Sequence, residues 1–150
     1  MKGRILITGG AGFIGSHLTD ALIERGYAVK ILDNLCEQVH GPGANIPEYL
    51  NPKAEFVYGD VHDKKAVEHV LQNIDAVFHL AAKVGVGQSM YEIGEYTAVN
   101  NLGTAVLLEA LIKNPVKKLI VASSMSIYGE GLYMNDEGEK KMNCKRNISD

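Results

Sequence analysis

The sequence predicts an α/β domain, a doubly wound parallel sheet with helices on both faces. Three observations predict it. Short apolar runs alternate with segments of helical period along most of the chain. The runs are apolar throughout rather than at every second residue, as in strands covered on both faces. A glycine-rich turn joins the first run to the first helical segment.

The elements follow in order. Arg4–Thr8 (RILIT) is a short buried strand that ends in glycines. Residues 13–25 carry Ile14, Leu18, Ala21 and Leu22 on one helical face, and Gly26 is the stop. Ala28–Asp33 is the second strand. Residues 34–53 hold three prolines and two glycines, so they read as a long loop with one helical turn at 46–50. The third strand is 54–58, followed by a short helix over 63–72 with Ala66, Val67, Val70 and Leu71 inward. The fourth strand is 76–80. Ser89 and Glu92 have the spacing of a helix N-cap and its third residue. A long helix over 92–113 follows, with Val99, Leu102, Val106, Leu107, Ala110 and Leu111 on its core side. The fifth strand is 119–122. After Tyr133 the chain turns polar, and 134–150 reads as a surface loop or frayed end. The organisation expected is a dinucleotide-binding domain over 1–133 and a polar tail over 134–150.

Composition narrows the function classes. The 150 residues are 46% apolar and 22% charged, as in an ordinary globular domain. A net charge of −3 gives no basic footprint for nucleic acid. No run approaches a membrane span, and the N-terminus lacks a signal-peptide core, so a cytoplasmic protein is expected. Cys36 and Cys144 match no metal or redox spacing and read as free thiols. The five histidines make no metal spacing, so no metal is expected.

The turn Thr8-Gly9-Gly10-Ala11-Gly12-Phe13-Ile14-Gly15 carries the first functional signal. A tight turn needs residues without a Cβ, and a pyrophosphate needs close backbone approach. The helix that starts near Phe13 offers free N–H groups and a positive dipole end. Asp33 closes the second strand, where a carboxylate accepts hydrogen bonds from an adenosine ribose. It would repel a 2′-phosphate, and no Arg or Lys follows within two residues, so NAD is expected over NADP. The plain alternative is a glycine-rich surface turn beside a solvated Asp.

These features resemble the extended short-chain dehydrogenase/reductase family, the NAD-dependent epimerases and dehydratases. Thr8–Gly15 matches its Thr-Gly-x-x-Gly-x-x-Gly fingerprint, and four further segments match in order. Asp60-Val61 resembles the pair that contacts adenine. His79-Leu80-Ala81-Ala82 resembles the strand-four signature whose backbone lines the cofactor. Asn100 resembles the helix asparagine that supports the active site. Ser124, four residues before Tyr128 of the Tyr128-Gly129 pair, resembles the catalytic hydroxyl. The resemblance implies cofactor contacts from Gly9, Gly12, Phe13, Ile14, Gly15, Asp33, Asn34, Asp60, Val61, Leu80, Ala81, Ala82, Lys83 and Asn100. Two of these carry plain alternatives: Asp60 as the cap of a turn and Lys83 as an exposed lysine. His79 reads as a satisfied core histidine.

Within the family, residues 79–90 are most similar to nucleoside-diphosphate-sugar 4-epimerases, the deoxythymidine-diphosphate-rhamnose group among them. The resemblance implies a transient 4-keto sugar, a nucleotide-sugar substrate and a homodimer at full length. Family members also carry a Tyr-x-x-x-Lys pair on a later helix. Here only Tyr49 and Lys53 have that spacing, with Pro52 between them. The expectation is therefore a chain that stops inside a larger protein and is inactive alone. The alternatives are a dehydratase or decarboxylase of the same family, and a non-catalytic NAD-binding regulator.

Overall fold

The computed structural model describes residues 2–128 and 131–141. Five strands form one parallel sheet: β1 (Arg4–Thr8), β2 (Ala28–Asp33), β3 (Glu55–Tyr58), β4 (Ala76–His79) and β5 (Lys118–Val121). Their order is β3-β2-β1-β4-β5. The chain winds outward from β1 to β3, returns past β1 to β4, and winds outward again. That reversal opens a crevice at the carboxyl ends of β1 and β4.

Helices cover both faces, and β1 shows how the sides are divided. Ile5 and Ile7 point to one side, where they join Val29, Ile31 and Leu50 beneath α1 (Phe13–Glu24). Leu6 points to the other, with Leu32 and Val77, beneath α3 (Lys64–Val70) and α6 (Gly103–Lys113). Alternation within an apolar run thus feeds two cores rather than one core and solvent. Asp63 caps α3, its carboxylate accepting from the Lys65 and Ala66 amides.

Several elements differ from their sequence reading. The regular helical turn of the long loop is α2 (Glu37–His40), not 46–50. Pro47 fixes the backbone there, and the Leu50 amide reaches only its carbonyl, one tight turn. Ile14 is 67% exposed and leaves the inward face of α1, which buries Gly15, Ser16 and Thr19. The helix is turned so that Gly15 abuts the glycine turn. Ser89 caps nothing: it ends α4 (Val86–Ser89), and its hydroxyl donates to the Val86 carbonyl.

The long helix over 92–113 is continuous but changes register. It runs as α5 (Ile93–Tyr96), a π-helical segment (Thr97–Leu102) and α6. The wider turn carries Leu102 off the core side, leaving it 52% exposed. Val99, Val106, Leu107, Ala110 and Leu111 pack as expected. The polar stretch after Tyr133 contains a small antiparallel hairpin, β6 (Tyr133–Met134) with β7 (Lys140–Lys141). Gly129, Cys144 and the Tyr128 side chain lie outside the described residues. Among the described residues, no helix is long and apolar enough to cross a membrane.

Candidate functional site: a groove across the switch point

The crevice is lined by two adjoining cavities of about 220 and 650 Å³. Leu80, Ala81, Ala82 and Lys83, the residues that follow β4, form a wall common to both. The first cavity reaches Gly9 and Gly12 on its floor and Asp33, Asn34, Asp60 and Val61 on its side. The second holds Asn100 and Ser124. Thirteen sequence candidates surround the glycine turn in this way or follow it, and only the side chains of Phe13 and Ile14 turn outward, 80% and 67% exposed. Gly15 sits beneath the turn.

The glycines divide into two kinds. Gly9 has φ +70°, and a Cβ there would lie 2.7 Å from the Ala81 amide nitrogen. A Cβ on Gly15 would lie 2.5 Å from the Gly9 carbonyl oxygen and 2.6 Å from the Gly10 Cα. These two are required by the turn itself. Gly12 is different: a Cβ there meets nothing closer than 3.4 Å and would project into the groove. As the N-cap of α1, Gly12 supplies no side-chain acceptor. The first-turn amides of Phe13, Ile14 and Gly15 are thus free of a capping side chain where a phosphate would bind.

Asp33 is buried, 8% exposed, so the solvated alternative is set aside. Its Oδ2 accepts from the Ala11 amide at 2.9 Å, and its Oδ1 accepts from the Leu35 amide at 2.9 Å. One carboxylate therefore ties the glycine turn to the loop after β2. Each oxygen retains a lone pair for a ribose hydroxyl. Asp60 does both things the sequence left open. It accepts from the His62 amide as a turn cap, and its other oxygen accepts from Asn34 Nδ2 at 2.6 Å. His62 Nδ1 lies 2.8 Å from its Oδ1. These groups meet the requirements of a dinucleotide: a cradle without Cβ atoms, a helix N-terminus, and a buried acid at the ribose position.

Asn100 lies in the π-helical segment. Its Oδ1 accepts from the Lys83 amide at 2.8 Å, and its Nδ2 donates to the Lys83 carbonyl at 3.0 Å. This reciprocal pair fixes the end of the shared wall. Lys83 is not the exposed lysine of the alternative reading. Its ammonium bonds Glu92 at 3.1 Å, lies 3.8 Å from Glu95, and sits 5.8 Å above the Tyr96 ring. The Glu92 bond raises its pKa above the ordinary lysine value. Gln38 of α2 closes the far side, donating to the Val84 carbonyl at 2.9 Å.

His79 is a satisfied core histidine, and its network assigns every proton. Thr104 Oγ1 donates to the Asn100 carbonyl at 2.6 Å, so it accepts from His79 Nε2, 3.1 Å away. His79 Nδ1 then accepts from the Thr8 hydroxyl at 2.7 Å, and Thr8 Oγ1 itself accepts from the Ala81 amide. The ring is neutral with its proton on Nε2. Burial holds its pKa below the ordinary 6.5. Folding therefore favours the neutral form. This contribution is fully present above about pH 6.5 and declines as pH falls below it, where only the unfolded chain takes the proton. Thermal unfolding of the native chain and a His79→Gln variant should show a stability difference that shrinks from pH 7 to pH 5. A constant difference would remove the assignment.

The sequence reading missed Cys36, His40, His62 and Glu95 as lining residues of the first cavity. Only their closeness in sequence to Asp33, Asp60 and Lys83 pointed towards them. Among the described residues, no group of three or more His, Cys, Asp or Glu is placed to hold a metal ion.

The comparisons with known proteins agree with this geometry. A family model described as the NAD dependent epimerase/dehydratase family matches residues 5–147. The chain is similar to a dTDP-L-rhamnose 4-epimerase of Burkholderia thailandensis, 37% identical over 139 aligned residues covering 90% of this chain and 38% of that protein. It is similar to a UDP-N-acetyl-alpha-D-glucosaminuronate decarboxylase of Bacillus cytotoxicus, 40% identical over 131 residues covering 87% and 39%. Among solved structures, a UDP-glucose 4-epimerase of Thermotoga maritima, crystallised with UDP-glucose, superposes with a TM-score of 0.74. It is 41% identical and covers 87% of this chain and 41% of that one. The chain spans less than half the length of these relatives.

Proposed function

The chain belongs to the NAD-dependent epimerase/dehydratase family, and from that premise we propose that it forms the cofactor half of a nucleotide-sugar 4-epimerase. One observation carries the reading. Two cavities share the Leu80–Lys83 wall, one edged by adenosine-type polar groups and the other holding Ser124. A dinucleotide laid along the groove has its adenosine at Asp33 and Asp60 and its reactive end beside Ser124.

NAD, when bound, supplies a reversible two-electron acceptor for oxidation of the sugar C4 hydroxyl. The chain's own residues bind and orient. The Gly9–Gly15 turn and the start of α1 hold the pyrophosphate. Asp33, Asn34 and Asp60 hold the adenosine. Asn100 fixes the wall through the Lys83 backbone. The Ser124 hydroxyl bonds the sugar oxygen and stabilises charge as the 4-keto sugar forms. The 150 residues hold no helical Tyr-x-x-x-Lys, so the proton from C4 is taken by a group that these residues do not supply. The setting we propose is a cytoplasmic homodimer of the longer protein.

The test is an epimerase assay on the natural protein that carries this chain, loaded with NAD, with UDP-glucose and dTDP-sugars as substrates. Ser124→Ala is expected to lower kcat about a hundredfold, as loss of one oxyanion donor does, with NAD still bound. Unchanged turnover sinks the role of Ser124. A second reading has the same cofactor half serve a decarboxylase, favoured by the Bacillus cytotoxicus relative. Release of CO2 from a UDP-uronate would select it. NAD binding without turnover of any nucleotide sugar would select a regulator instead.

A further inference from the structure

We propose that His40 is a cofactor-binding residue that brackets a ribose hydroxyl together with Asp33. The inference rests on reading the first cavity as the adenosine end of an NAD site. His40 ends α2, and its side chain is 5% exposed. Its Nε2 lies 4.0 Å from Asp33 Oδ1. That gap is too long for a direct hydrogen bond, yet one hydroxyl oxygen reaches both atoms at about 2.8 Å. A hydroxyl both donates and accepts. It would donate to the carboxylate and accept from an imidazole N–H.

Both residues line the same cavity as Gly9 and Asp60. The position of the imidazole is fixed from two sides. The His40 and Val39 amides donate to the Cys36 carbonyl, and the Gly41 amide donates to the Glu37 carbonyl. Gln38, two residues earlier, bonds the Val84 carbonyl across the groove. The helix therefore presents His40 inward while Val39 stays 56% exposed. The Asp33 oxygens already accept one backbone amide each, so a second group that orients the same hydroxyl adds selectivity the carboxylate alone lacks.

The experiment measures dissociation constants by calorimetry on the NAD-free natural protein that carries this chain. The ligands are NAD and its analogues lacking the adenosine 2′- or 3′-hydroxyl. His40→Ala is expected to weaken NAD about tenfold, one hydrogen bond's worth. It should weaken one of the two analogues less than twofold, because the bracketed hydroxyl is already gone. His40→Gln, which keeps a donor, should recover part of the loss, and it serves as the test should His40→Ala not fold. Equal weakening of NAD and both analogues would show packing alone and overturn the proposal. Unchanged NAD affinity would also overturn it, with the site reading intact. If the native protein fails to bind NAD, the site reading and this inference fall together.

Discussion

Gly15→Ala is expected to collapse both stability and NAD binding, whereas Gly12→Ala should lose binding alone. The new Cβ at position 15 would lie 2.5 Å from the Gly9 carbonyl oxygen and 2.6 Å from the Gly10 Cα. Both are backbone atoms of the turn, so no side chain can move aside. The turn has to open, or α1 has to lift from β1. Overpacking of this kind costs about 3 kcal/mol, or about 10 °C in Tm for a chain of this size. At position 12 the nearest atom is 3.4 Å away and the Cβ faces the groove. The protein should fold normally and refuse the pyrophosphate. Thermal unfolding and NAD titration of the two variants give the contrast. Equal Tm values for both would refute the division of the glycines into two kinds.

Asp33→Ala should be the most damaging substitution that removes atoms rather than adding them. It leaves the amides of Ala11 and Leu35 without their acceptor, and both residues are buried. An unsatisfied buried donor costs about 1–3 kcal/mol, so the pair costs about 2–6 kcal/mol. Asp33→Asn keeps one oxygen and should fall between, since it satisfies one amide and presents an N–H to the other. The expected order of Tm is native, then Asn, then Ala. NAD affinity should follow the same order, because the loop and turn that hold the adenosine are set by the same carboxylate. An Ala variant as stable as the native chain would show that water takes over both amides.

Strands and the glycine turn were legible because their physics is local. A run such as Arg4–Thr8 is apolar on both faces, and only a covered strand satisfies that. Asp33 was placed by its position at the end of β2, although its two backbone bonds lay beyond what spacing shows. The missed features all depend on tertiary contacts. Ile14 has the right period for the core, but Gly15 turns α1 by its fit to the turn. The pairing of Ser89 with Glu92 looked like a cap, but Lys83 draws Glu92 into an ion pair. Leu102 matches a 3.6-residue period and is exposed because its turn is not one of 3.6 residues. His40 belongs to the site because α2 folds back over Asp33, and no pattern in residues 34–53 announces that fold.

The π-helical segment has a consequence in terms of insertions and deletions. Each of its turns holds one residue more than an α-turn, and Asn100 reaches Lys83 from within it. Removing one codon between 97 and 102 would let the segment relax to α register. Everything before it would then rotate by about 100° relative to α6, carrying Glu92 and Glu95 away from Lys83. Many single substitutions in this stretch leave that register intact, whereas no single deletion does. Its length is therefore under tighter constraint than its composition, and a library of in-frame deletions and substitutions across 93–103 would display the difference directly.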